Sequence, residues 1–108
     1  MTQNPQDRIA LSADEVARAV PTWQAAEATL SAGYRFANFV EGIGFVDEVA
    51  AIAEAHNHHP DIDIRYNRVF FTLSSHDVKA LTARDVRLAR AISELADRFG
   101  AEQVTAEH

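Results

Sequence analysis

Glu54-Ala55-His56-Asn57-His58-His59-Pro60 is the stretch of this chain best equipped for chemistry, and Tyr66-Asn67-Arg68-Val69 and then His76 follow it at short intervals. Four of the five histidines fall between positions 56 and 76. Imidazole has an ordinary pKa of about 6.5, so it can take up or release a proton near neutral pH, and the cluster points to proton transfer or metal binding. His58, His59 and His76 beside the Glu54 carboxylate form the kind of titratable group set that acid–base catalysis needs. A single histidine is more often structural, and His56 is read that way.

Three imidazoles and a carboxylate could also bind zinc. Ligands adjacent in sequence, as His58 and His59 are, tend to point apart, and neither HExxH nor His-x-x-x-His is present. Acid–base work without metal or organic cofactor is the preferred reading. Ser74 and Ser75 precede His76 but have no glycine-flanked elbow to expose a nucleophile, and both fit the end of a strand. The absence of cysteine excludes disulfides, thiolate nucleophiles and cysteine-based metal sites.

The elements that must position these groups follow from periodicity. Ser12-Ala13-Asp14-Glu15 reads as a capping box, with Leu11 and Val16 as its hydrophobic staple, opening a short helix that Pro21 ends. Residues 23–30 and Tyr34-Arg35-Phe36 read as two modest strands joined through Ser31-Ala32-Gly33. Asn38 and Glu41 open a longer helix with Phe39, Ile43, Val46, Ala50 and Ala53 at spacings of three and four. Pro60 closes it, because the residue before a proline is driven out of the helical region. Within that helix Glu54 and His58, four apart, would share a face, while His59 points elsewhere.

From Asp61 the pattern alternates. Ile62, Ile64 and Tyr66 fall on one side and Asp61, Asp63 and Arg65 on the other, as a half-buried strand requires. Asn67-Arg68 reads as the turn into a return strand with Val69, Phe71 and Leu73 on one face, which brings His76 back toward Pro60. Thr82 and Asp85 cap a last helix that buries Leu88, Ile92, Leu95 and Phe99. The order is helix, two strands, helix, two strands, helix. It predicts an α+β fold, a four-stranded antiparallel sheet with helices packed on one face, in a single domain over residues 1–108 with residues 1–10 and 101–108 as loose tails.

Composition narrows the function. A net charge of −6 argues against direct nucleic-acid binding or an anionic membrane surface as partner. No apolar run approaches the roughly 20 residues of a membrane span, the N-terminal residues lack a signal-peptide core, and a cytoplasmic location is expected. No glycine-rich turn offers a phosphate cradle.

The compound pattern of Glu54, His58, His59 and Pro60, then Tyr66 to Val69, Thr72 to His76 and Leu81 to Asp85, resembles the pterin-4a-carbinolamine dehydratase family. The likeness runs upstream through Tyr34-Arg35-Phe36, Asn38-Phe39 and Phe45-Val46, and downstream along Leu88-Ala89. Ile62 stands where many members carry tryptophan, and Phe70 where some carry histidine. The resemblance implies a lyase that dehydrates a 4a-hydroxytetrahydropterin to the quinonoid dihydropterin in tetrahydrobiopterin recycling, without a cofactor. It implies that His58, His59 and His76 are the catalytic or substrate-binding histidines, and that the protein is a homodimer or homotetramer. Glu54 either orients His58 or is a solvated carboxylate. Asp85 matches a family aspartate, though its plainer reading is the partner of Thr82 in the cap, and Pro60 acts through geometry. Val86 and Ala91 are candidates for subunit contact. The same fold also serves relatives as a protein-binding module, of coactivator or assembly-factor type, and that is the alternative function.

Overall fold

Ser12 opens the first helix as its sequence requires. In the computed structural model, which describes residues 5–107, its hydroxyl accepts from the Glu15 amide at 3.1 Å while the Glu15 carboxylate accepts from the Ser12 amide at 3.0 Å. Helix α1 (Ala13–Ala19) buries Val16. Two longer helices follow, α2 (Phe39–His56) and α3 (Ala83–Arg98), both with the expected caps. The Asn38 side chain accepts from the Glu41 amide at 2.9 Å, and Thr82 forms a capping box with Asp85.

The strands are β1 (Gln24–Ala25), β2 (Leu30–Arg35), β3 (Asp61–Arg65), β4 (Arg68–Leu73) and β5 (Glu102–Val104). All pair antiparallel in the order β1-β2-β4-β3, and β5 joins β1 along the far edge of β2. The α+β reading is borne out, with the helices on one face. Leu30, Ala32 and Tyr34 of β2 register with Leu73, Phe71 and Val69 of β4, and these six side chains form the buried floor under the helices. Phe45 of α2 sits at the centre, with ring centroids 4.8 Å from Phe36, 5.4 Å from Phe99 and 5.8 Å from Phe71. From α3, Leu88, Ile92 and Leu95 are buried, each worth about 1.5–3 kcal/mol in transfer from water.

Three expectations change. Ser31-Ala32-Gly33 lies inside β2, and the turn falls earlier, between Ala25 and Leu30, where the Ala26 amide donates to the Thr29 carbonyl. Gly33 is required by crowding: a Cβ there would lie 2.8 Å from the Phe70 ring and 2.9 Å from the Thr105 carbonyl. The second hairpin turns at Tyr66-Asn67, one residue before the expected place, with Tyr66 in the left-handed region at φ 54°. Asn67 pays back that strain by donating its side-chain amide to the Phe36 carbonyl at 2.8 Å, which fastens the turn to the end of β2. Finally, the segment after Gly100 is not loose: β5 adds a fifth strand, and Arg35 pairs with Glu102. At the other end Pro5–Arg8 forms a 3-10 turn, Asp7 pairs with Arg87 at 2.9 Å, and residues 1–4 and His108 lie outside the described residues.

Candidate active site

The end of α2 sets the geometry of the histidine corner. Asn57 takes the left-handed conformation (φ 50°, ψ 42°), and the His58 amide donates to the Ala53 carbonyl at 3.1 Å, a helix-ending pattern that reverses the chain. Asn57 therefore stops the helix, three residues before Pro60. That overturns the expected pairing of Glu54 with His58, because His58 lies beyond the last helical turn and the four-residue spacing no longer places it over Glu54. The Glu54 carboxylate bonds Nε2 of His59 instead, in an exposed pair.

His58 turns inward and is 9% exposed. Its Nε2 lies 2.6 Å from Oδ1 of Asp85, at the start of α3. Asp85 is fully buried, and its other oxygen accepts from the Ser75 hydroxyl at 2.8 Å and from the Thr82 amide at 2.9 Å. The capping role read for Asp85 is thus real, but it occupies only one oxygen. The second oxygen holds the imidazole of His58. Leaving one of these buried groups unpaired costs about 1–3 kcal/mol, so the constellation resists rearrangement.

His76 follows Ser75 directly, at the head of a tight turn in which Ser75 and Ala80 bridge and the Lys79 amide donates to the His76 carbonyl at 3.3 Å. It is exposed. The next residue, Asp77, is held by Arg84, whose Nη2 lies 2.7 Å from Oδ1. The hydrogen bond from Arg84 holds the Asp77 carboxyl below the usual carboxylate range, and the nearby charges of Arg84 and Arg8 act in the same direction. This pair ties the turn bearing His76 to the first turn of α3, next to Asp85.

Of the residues singled out in the sequence, the fold joins His58 to Asp85 and His59 to Glu54, and it sets His76 one residue from the Asp85 partner Ser75. Pro60 lies between His59 and the first residue of β3, so it starts the edge strand immediately after the corner. His56 is exposed. Ser75 and Thr82 are the buried polar residues that the sequence reading passed over as a strand end and a cap. Their one signal was position, beside His76 and three residues before Asp85. Val86 belongs to the core, 7% exposed, which removes it as a subunit contact; Ala91 is half-buried. Among the described residues no group of three or more His, Cys, Asp or Glu side chains is arranged to hold a metal ion.

Two hollows deserve comparison with the corner. One of about 370 Å³ lies between β1 and β5, but Thr22, Trp23, Gln24, Ser31, Ala32 and Gln103 on its walls offer no acid or base for proton transfer. A smaller one of about 180 Å³, lined by Asp61, Ile62, Asp63, Phe70 and Thr72, begins immediately after Pro60.

Comparison with known proteins places the chain in a family. Residues 9–95 match the family model described as pterin 4 alpha carbinolamine dehydratase. A relative from Thermomicrobium roseum, provisionally named a pterin-4-alpha-carbinolamine dehydratase, is 47% identical over 77 residues, 71% of this chain and 83% of its own. One from Chloroflexus aurantiacus with the same provisional name is 49% identical over 75 residues, 69% of this chain and 81% of its own. The crystal structure of a transcriptional coactivator/pterin dehydratase from Brucella melitensis superposes with a TM-score of 0.72 at 32% identity, covering 77% of this chain and 90% of that one. With the family model spanning most of its length, the chain belongs to the pterin 4 alpha carbinolamine dehydratase family.

Proposed function

We propose that this protein removes water from a 4a-hydroxytetrahydropterin, giving the quinonoid dihydropterin of tetrahydrobiopterin recycling, by acid–base catalysis through His58, His59 and His76. The C4a–O bond breaks as one imidazole delivers a proton to the departing hydroxyl. A second imidazole takes the proton from the ring nitrogen, whose electron pair closes the new C=N bond. Atoms balance with one water released, so the reaction asks for proton transfer alone, and no cofactor is included in the proposal.

The observation that carries this reading is the buried His58–Asp85 pair at 2.6 Å. A carboxylate on one ring nitrogen fixes the orientation and tautomer of an imidazole, the arrangement that prepares it to move a proton at the other nitrogen. The Glu54–His59 pair repeats the arrangement at the surface. In this reading Pro60 sets the direction of the chain beside the substrate. Residues 1–108 act as one catalytic domain in the cytoplasm, as a homodimer or homotetramer. The exposed Phe39 and Val40 of α2 and Ile62 and Ile64 of β3 supply apolar surface for subunit contact.

The test is a dehydration assay with enzymatically generated 4a-hydroxytetrahydropterin. The purified protein should accelerate the reaction in the presence of a chelator. No acceleration by folded protein, under conditions where an authentic dehydratase works, would overturn the assignment. One observation favours a second reading as a protein-binding module: Val40 is 77% exposed beside Phe39 on α2. Val40→Glu should then abolish partner capture and leave dehydration unchanged, with His58→Ala doing the reverse.

A further inference from the structure

We infer that Ser75 is a positioning residue of the histidine corner, whose hydroxyl holds the Asp85 carboxylate turned toward His58 and so keeps the imidazole in the one tautomer that faces it. The inference rests on the acid–base reading above and extends it to a residue outside the histidine set.

Proton bookkeeping along the buried chain gives the direction of every bond. Arginine has donors and no acceptor, and an ionised carboxylate has acceptors and no donor. Thr82 Oγ1 accepts from the Arg84 amide at 3.2 Å and from Arg84 Nε at 3.3 Å. Its own proton is then free to go to Ser75 Oγ, 2.8 Å away, and Ser75 passes its single proton to Asp85 Oδ2 at 2.8 Å. The Thr82 amide also points at that oxygen, at 2.9 Å. Oδ2 is thereby occupied twice, and Oδ1 is left to the imidazole. Facing a carboxylate oxygen, His58 Nε2 must donate, so neutral His58 carries its proton on Nε2 and its lone pair on Nδ1.

The same hydroxyl links the two sides of the corner. Ser75 precedes His76 in the bridged turn, whereas Asp85 belongs to α3, so the Ser75–Asp85 bond joins the His76 segment to the partner of His58. The charged and titratable groups along this network are His58 and Asp85 at its centre and Arg84 and Asp77 at its outer end, with Glu54 and His59 beside it on the exposed side. Without the hydroxyl, the Asp85 carboxylate loses one of the two donors that fix its rotation. The carboxylate can then turn away from the imidazole, and a His58 ring that no longer faces a carboxylate oxygen can hold its proton on either nitrogen.

The experiment pairs ring-nitrogen NMR of His58 with steady-state dehydration kinetics across pH for wild type, Ser75→Ala, Ser75→Thr and His58→Ala. Wild type should show one neutral tautomer, protonated at Nε2. Ser75→Ala should show a mixture, with kcat lowered about 10- to 100-fold, as is typical when a group orienting a working imidazole is lost. Its KM should stay within about twofold and its acid limb should move. Ser75→Thr, which keeps the hydroxyl, should restore all three readouts. A Ser75→Ala protein that keeps the Nε2–H tautomer and the wild-type pH profile, losing only thermal stability, would overturn the proposal. If Ser75→Ala does not fold, Ser75→Val, which has the shape of threonine without a donor, replaces it, and a wild-type tautomer there overturns the proposal equally. His58→Ala separates the two readings. A wild-type rate in that variant removes the acid–base assignment, while the NMR measurement still decides whether Ser75 holds Asp85 in place.

Discussion

His58 Nε2 and Asp85 Oδ1 lie 2.6 Å apart across 27 positions of sequence, with Asp85 fully buried and His58 nearly so. The contact joins the end of one long helix to the start of another. It gives a residue that caps α3 a second duty at the histidine corner. Fold stability and site geometry therefore meet in a single carboxylate.

Asp85→Asn should separate those duties. The amide keeps the volume but replaces an acceptor pair with one acceptor and one donor, so if the oxygen serves the cap the NH2 faces His58 Nε2, which must then accept and carry the ring proton on Nδ1, the opposite tautomer. The variant should lose about 1–3 kcal/mol of stability, read by denaturant unfolding, together with most of its dehydration activity. Full activity in a destabilised protein would confine Asp85 to the cap.

Substitution of the histidines should divide the cluster. His58→Ala and His76→Ala should each lower turnover by about 10²- to 10⁴-fold, the usual contribution of a general acid or base. His56→Ala should be almost silent in the same assay, since His56 is exposed on the last helical turn and the other pairs do not involve it. A comparable loss at His56 would mean that the cluster is divided wrongly.

The exposed Glu54–His59 pair should contribute little to folding. Both side chains are more than half exposed, at 77% and 57%, and such pairs are worth about 0–1 kcal/mol. Glu54→Gln should leave the melting temperature nearly unchanged. A lowered kcat with a shifted acid limb would place the carboxylate in catalysis, whereas an unchanged profile would make it a solvated helix residue.

Two groups set opposite ends of the pH–stability curve. Burial raises the Tyr34 phenol above its ordinary value, against a smaller opposing effect from its bond to Ser93. An acid raised in the folded state contributes stability below its unfolded pKa, about 10, and loses it as pH rises further. Tyr34→Phe should therefore flatten the alkaline loss of stability. Asp77 behaves in the opposite sense. Its carboxyl is lowered by Arg84, so the contribution is present above the ordinary value of about 4 and lost as pH falls through the lower folded value. The melting-temperature gap between wild type and Asp77→Asn should close on acidification; a gap constant with pH would contradict this.

Gly33→Ala should be destabilising although the backbone there is ordinary strand. The added methyl would meet the Phe70 ring at 2.8 Å and a backbone carbonyl at 2.9 Å, and overpacking of this kind costs about 1–3 kcal/mol. Phe70→Leu in the same chain should recover part of the loss in thermal unfolding. No recovery would assign the whole clash to the Thr105 carbonyl.

Local chemistry was sufficient for the elements that are decided locally. The capping boxes at Ser12 and Thr82 and the apolar periodicity of α3 are read from neighbours a few positions apart, and each is found where the pattern puts it. By contrast, α2 buries Phe45, Val49 and Ala53 and leaves Phe39 and Ala50 of the expected stripe exposed, and β3 leaves Ile62 and Ile64 exposed because no helix among the described residues covers that edge strand. The family likeness was legible for the same reason, as a set of residue types at fixed spacings, and the family match bears it out. The register of β2 was not legible, because Gly33 resembles a turn residue until Phe70 is placed over it from another strand. Nor was β5, a short polar segment that becomes a strand only when the edge of β2 offers it backbone partners.

At the corner the sequence supplied the groups and tertiary structure chose the pairs. Spacing alone favoured Glu54 with His58, since i and i+4 meet on a continuous helix. The left-handed turn at Asn57 breaks that rule, sends His58 to Asp85 and gives Glu54 to His59. Ser75 acquires its place only because the β4 turn and the start of α3 are packed together, so its hydroxyl faces a carboxylate ten residues away. Which groups could move protons was written in the chain, but which oxygen faces which nitrogen depended on contacts between segments remote in sequence.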